Sequence, residues 1–238
     1  MFGKRKIAAV AGEFLGTATL TFVVLAVSRS TIGIPYFVAI AAGLAVAVMG
    51  VSIATDVHLN PALTIGLWTA RRIKTSQMVV YVAVQFVAAY AAYGLYRYFA
   101  HGTVQHVSNG FDGHILVAEA VGAFVFALVA SAVLYDRVWG SRRAVVVGAG
   151  LVAGMIIASS ASNGFINPAV ALGSNSWGWG TYALGPVLGA IIGVNLYALV
   201  FSGMNPENAA AKAAVASSSS TTVSSGSKTT SKTKKSKK

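Results

Sequence analysis

The chain has 238 residues, of which 55% are hydrophobic and only 10% charged, too little charge to solvate a globule of this size. The formal net charge of +12 sits in short clusters, and no basic stripe interleaves with aromatics along one face, so no nucleic-acid partner is expected. Cysteine is absent, which excludes disulfides, thiol chemistry and thiolate metal sites.

The first 27 residues carry Lys4-Arg5-Lys6 and then an apolar run, as a signal peptide would. The run contains Glu13 and has no clear small-x-small cleavage site, so it reads as a retained first span. Six apolar segments, at 7–27, 34–54, 76–99, 114–135, 144–161 and 181–202, approach or exceed the roughly 20 residues that a bilayer-crossing helix needs. Two shorter apolar stretches, 57–70 and 164–176, follow the second and fifth spans. They are too short to cross alone and suit re-entrant segments. The expected fold is an all-α membrane protein with six transmembrane helices and two re-entrant half-helices.

The cations then read as orientation signals. Lys4-Arg5-Lys6 precede the first span, Arg71-Arg72-Lys74 follow the first re-entrant segment, and Arg137 with Arg142-Arg143 lie between the fourth and fifth spans, all on one side, whereas 28–33 and 100–113 hold few cations. Six spans put both termini on the same face, expected to be cytoplasmic, with the plasma membrane as the location. From Glu207 the chain turns to Ser, Thr and Lys and ends Lys-Lys-Ser-Lys-Lys. Such a segment cannot bury enough apolar surface to fold and is expected to be a solvated cytosolic tail, 207–238, able to adhere weakly to anionic headgroups.

The chain also repeats itself. Gly43 and Gly150, Asn60 and Asn167, and Gly66 and Gly173 are each 107 residues apart, while Glu13 and Glu119 are 106 apart. Two halves follow, 1–113 and 114–206. A repeat of three spans must be inverted, because an odd number of crossings starts the second copy on the opposite face. Each half carries one Asn-Pro-Ala, Asn60-Pro61-Ala62 and Asn167-Pro168-Ala169. Asn favours the helix N-cap and Pro the first helical position, so each tripeptide starts a helix. One copy would be an ordinary helix start. Two copies at matched places in short apolar segments are the sign of two half-helices entering from opposite sides and meeting near the midplane.

Two glutamates inside spans require partners, since an ionised carboxylate in a bilayer is costly. They could be proton relays or cation ligands. The structural reading, favoured because the repeat assigns one to each loop, has Glu13 and Glu119 accept hydrogen bonds from the backbone of the neighbouring re-entrant segment. His58, His101, His106 and His114 do not form a helical metal-ligand set, and no nucleophile–base pair is visible. No enzyme activity, metal or cofactor is expected.

These motifs resemble the aquaporin (major intrinsic protein) family over nearly all of 7–202. The resemblance rests on Glu13-Phe-Leu-Gly16, His58-Leu-Asn-Pro-Ala-Leu-Thr64, Gln85 and Gly185-Pro186-Val-Leu-Gly189. It implies one hourglass pore per subunit, usually four subunits, with the Asn60 and Asn167 amides donating to passing oxygens and Glu13, Glu119 and His58 supporting the loops. The implied partners are water, small neutral solutes and the lipid bilayer. One feature departs from the pattern: where the family commonly has Arg after its second Asn-Pro-Ala, this chain has Val170. Counting without gaps, the other narrow-filter positions resemble Ile40, Met155 and Gly164, with Ala42 replacing Ile40 if a gap precedes the first loop. No such residue is charged, so the filter is expected to be less polar than that of a typical water channel. The expected function is a passive channel for water and small neutral solutes. The alternative is a facilitator for glycerol or larger neutral solutes, and an ion-coupled transporter or structural membrane protein ranks below both.

Overall fold

The computed structural model describes residues 3–30, 34–53, 57–102, 107–108, 110–135, 138, 140 and 142–202, so the tail at 207–238 lies outside the described residues. Eight α-helices account for nearly all of it: α1 (Lys4–Ser28), α2 (Pro35–Ser52), α3 (Pro61–Thr69), α4 (Thr75–Phe99), α5 (Gly113–Leu134), α6 (Arg142–Ala158), α7 (Pro168–Gly173) and α8 (Leu184–Val200). Among the described residues five segments are long and apolar enough to cross a membrane: α1, α2, α4, α5, and α8 with the π turn Trp179–Ala183 that precedes it. The helix α6, at 17 residues, lies at the lower limit of about 17–25 for a span. The short α3 and α7 take the place of the two re-entrant segments. The protein is an all-α, multi-pass membrane bundle.

Local sequence explains where these helices begin. Pro35, Pro61 and Pro168 each occupy a first helical turn, where the missing N–H costs nothing. Asp112 caps α5, accepting from the N–H groups of His114 at 2.7 Å and Ile115 at 3.4 Å. The His114 N–H holds that carboxyl below the usual carboxylate range. Outside the helices, two-residue strands β1 (Val107–Ser108) and β2 (Ser176–Trp177) pair in parallel and join the α4–α5 connection to the segment after α7.

The helix contacts come in matched sets. The α1–α2 and α1–α4 contacts correspond to α5–α6 and α5–α8, α3–α8 to α7–α4, and α3–α5 to α7–α1. The pairing of α2 with α6 maps onto itself. There, a Cβ on Gly43 would strike the Gly148 carbonyl oxygen and a Cβ on Gly148 would strike that of Gly43. Without lipid-expelling pressure between apolar helices, such close backbone approach is what supplies packing in a membrane. Large side chains stand outward, as lipid requires: Leu44, Val48, Val87, Tyr90, Ile192 and Leu199 are all exposed.

Candidate functional site

The two half-helices meet at their starts. Asn60 caps α3, its Oδ1 accepting from Ala62 N–H at 2.8 Å, and Asn167 caps α7, accepting from Ala169 N–H at 3.1 Å and Val170 N–H at 3.3 Å. With each Oδ1 held this way, each amide nitrogen is turned toward the other Asn-Pro-Ala loop. Asn60 Nδ2 donates to the Ile166 carbonyl at 2.9 Å, and Asn167 Nδ2 donates to the Leu59 carbonyl at 2.8 Å. A primary amide has two N–H groups. One is spent on the crossed bond, and the other has no partner among the described residues.

The residue before each Asn adopts a costly conformation. Leu59 (φ 55°) and Ile166 (φ 44°) lie in the left-handed region, where a β-branched Ile is a true outlier. Such strain costs about 1–3 kcal/mol per residue and persists only when its surroundings enforce it. The glutamates enforce it. Glu13 accepts from the N–H groups of His58 at 2.6 Å and Leu59 at 2.9 Å, and from Gln85 Nε2 at 2.7 Å. Glu119 accepts from the N–H groups of Phe165 at 3.0 Å and Ile166 at 2.5 Å, and from Ser162 Oγ at 2.7 Å. Both carboxylates are fully buried. Their oxygens are committed to loop backbone, an arrangement suited to holding a loop and ill suited to relaying protons.

Aromatic pairs repeat the symmetry. His58 packs edge-on against Tyr81 with ring centroids 5.3 Å apart, and Phe165 packs edge-on against Tyr182 at the same 5.3 Å. His58 Nδ1 lies 3.1 Å from Thr64 Oγ1, which also receives Gln85 Nε2 at 3.0 Å. The first loop is therefore polar where the second is aromatic.

Residues 3–201 match the major intrinsic protein family. The chain belongs to that family. It is 32% identical over 209 residues to aquaporin NIP1-1 of Oryza sativa subsp. japonica, covering 80% of this chain and 73% of the relative. It is 30% identical over 225 residues to aquaporin Z of Photorhabdus laumondii, covering 81% of this chain and 97% of the relative. The aquaglyceroporin of Plasmodium falciparum shares the fold, with a TM-score of 0.68 at 21% identity over 82% of this chain and 96% of that one. As a major intrinsic protein the chain is a channel for water or for small neutral, glycerol-type solutes, and not an enzyme.

The four positions expected to form the filter separate. Met155 and Val170 are each 2% exposed and belong to the same apolar cluster as Ala42, and Gly164 is also buried. Gly164 has φ +66°, and a Cβ there would lie 2.7 Å from the Met155 carbonyl oxygen, so only Gly fits. Ile40 does not belong with them. It is 45% exposed and shares an outward stripe with Phe37, Leu44, Val48 and Val51. The inward face of α2 carries Val38, Ala39, Ala42, Gly43 and Val46. An ungapped count carries any length difference of the 53–60 connection into α2, and two residues turn a helix by about 200°, from inside to outside. Ala42, the gapped alternative, faces inward.

Sequence reasoning passed over Leu59 and Ile166, whose carbonyls and strained backbones connect the two Asn-Pro-Ala loops. Their signal was positional: they stand 107 residues apart, each directly before its Asn.

Proposed function

We propose that this channel is a facilitator for glycerol and other small neutral solutes, with water passing as well, through an apolar filter made of Ala42, Met155, Gly164 and Val170. The observation that carries this reading is Val170 at the position where the family commonly places Arg. Three of the four side chains are small, and the fourth, Met155, is unbranched and adaptable. A solute with both hydroxyl and C–H faces can slide its apolar face past them while the Asn60 and Asn167 amides receive its oxygens in turn. Ions are opposed by the cost of dehydration in an apolar constriction. Ion coupling finds no support, because both membrane glutamates are committed to loop backbone.

The same reading takes the helices as two inverted halves, 1–113 and 114–206, supported by the matched helix contacts. It places the protein as a homotetramer in the plasma membrane with both termini cytoplasmic, on the Lys/Arg bias and the family pattern.

Installing a guanidinium tests the filter. Val170→Arg should cut glycerol flux in proteoliposomes by roughly tenfold or more while reducing water flux less, because the side chain fills the constriction and adds a charge. Glycerol flux equal to that of wild type would remove Val170 from the constriction.

A further inference from the structure

Eight Lys and Arg side chains stand at one end of the bundle. Lys4, Arg5 and Lys6 open α1, Arg71, Arg72 and Lys74 follow α3, and Arg142 and Arg143 open α6. Side-chain contacts place these segments together. Phe22, near the end of α1, packs edge-on against Tyr96 and Phe99 near the end of α4, so the two helices run parallel and start at the same end. Arg72 donates to the carbonyl of Leu134 at 2.9 Å and lies 4.3 Å from the Tyr135 ring centroid, which brings the end of α5 to the start of α4. Gly50 near the end of α2 lies against Ala144 in the first turn of α6.

All of these cations except Arg143 are exposed, and no Asp or Glu stands at this end among the described residues. Among the described residues the opposite end holds Arg29 and Arg97 against Asp112. The first turns of α1 and α6 contain cations and no acid, an unfavourable match to the positive end of a helix dipole. Trp68, 37% exposed, stands beside them with Nε1 donating to Thr75 Oγ1 at 3.1 Å, the kind of amphipathic ring that settles at headgroup level. An orientation signal explains why the cations share a face. It does not say what neutralises them in the folded protein.

We infer that this end is a docking surface for anionic phospholipid headgroups of the surrounding bilayer, held by Lys4, Arg5, Lys6, Arg71, Lys74 and Arg142. The ends of bilayer-crossing helices meet the headgroup layer, and each cation near an anionic surface there adds to the attraction. The surface is independent of which solute the pore carries.

Full-length protein reconstituted in equal parts phosphatidylcholine and phosphatidylglycerol, then extracted in mild detergent, gives the test through mass spectrometry of the retained lipid. Phosphatidylglycerol should be enriched roughly tenfold over phosphatidylcholine, and the enrichment should vanish at high salt. It should also vanish in K4Q/R5Q/K6Q/R71Q/K74Q/R142Q, with Arg97→Gln at the other end as an unaffected control. Replacing the seven tail lysines by Gln should leave it in place. Melting in phosphatidylcholine alone checks that the sixfold variant is folded; if it is not, the separate triple variants K4Q/R5Q/K6Q and R71Q/K74Q/R142Q should each reduce the enrichment. Equal retention of the two lipids by wild type, or enrichment that survives removal of the six cations, overturns the proposal.

Discussion

Glu119→Ala should be the most damaging single substitution in the channel, lowering the melting temperature in detergent by roughly 10 °C. The carboxylate accepts from two backbone N–H groups and one hydroxyl in a buried setting. Each donor left unsatisfied costs about 1–3 kcal/mol. The left-handed Ile166 then loses the group that holds it, and its crossed bond from Asn60 loses its register. Glu119→Gln separates causes. The amide keeps volume and one acceptor oxygen, but it turns an NH2 toward an N–H that needs an acceptor, so about half the loss should remain. Flux per folded molecule should stay close to wild type. A Gln variant that melts normally but loses transport would give Glu119 a direct role in permeation instead.

Removing either junction amide should stop most of the flow without unfolding the channel. Asn60→Leu and Asn167→Leu each take away an N-cap worth about 1–2 kcal/mol, a bond to the opposite loop, and the second amide N–H, which has no partner among the described residues. A solute stripped of water at the junction then finds no donor, and a loss of about 1.4 kcal/mol in the barrier is a tenfold loss in rate. Flux per correctly inserted protein, measured by stopped-flow light scattering, should fall about tenfold or more in both variants. Because the crossed bonds are reciprocal, the two losses should be similar. Flux that is unchanged in either variant would mean that the Asn-Pro-Ala junction does not line the route.

Much of this architecture is legible in the residues. Asn-Pro encodes a capped helix start by local chemistry alone, so α3 and α7 begin where the motif stands. The apolar runs locate the long helices to within a few residues, because in a bilayer every backbone group must bond within its own segment. The spacing of Glu13 and Glu119 assigns one carboxylate to each loop. Other features depend on tertiary structure and leave no local trace. Nothing in Leu59 or Ile166 announces a positive φ; both residue types disfavour it, and only the carboxylate below and the amide opposite enforce it. The inward face of α2 was blurred by a connection of uncertain length, which placed Ile40 where Ala42 stands. The π turn at Trp179–Ala183 begins without a side-chain cap and owes its form to packing against α5 and α7. Arg72 reads as an orientation signal, yet its guanidinium also caps the last turn of α5.

The most direct test of the proposed function is glycerol uptake beside water uptake in proteoliposomes of the purified full-length chain. The apolar Ala42, Met155, Gly164 and Val170 set predicts that both fluxes rise well above those of protein-free vesicles and that neither depends on an ion gradient. Water flux with glycerol uptake at the protein-free rate, or glycerol uptake that requires a proton or sodium gradient, would contradict it.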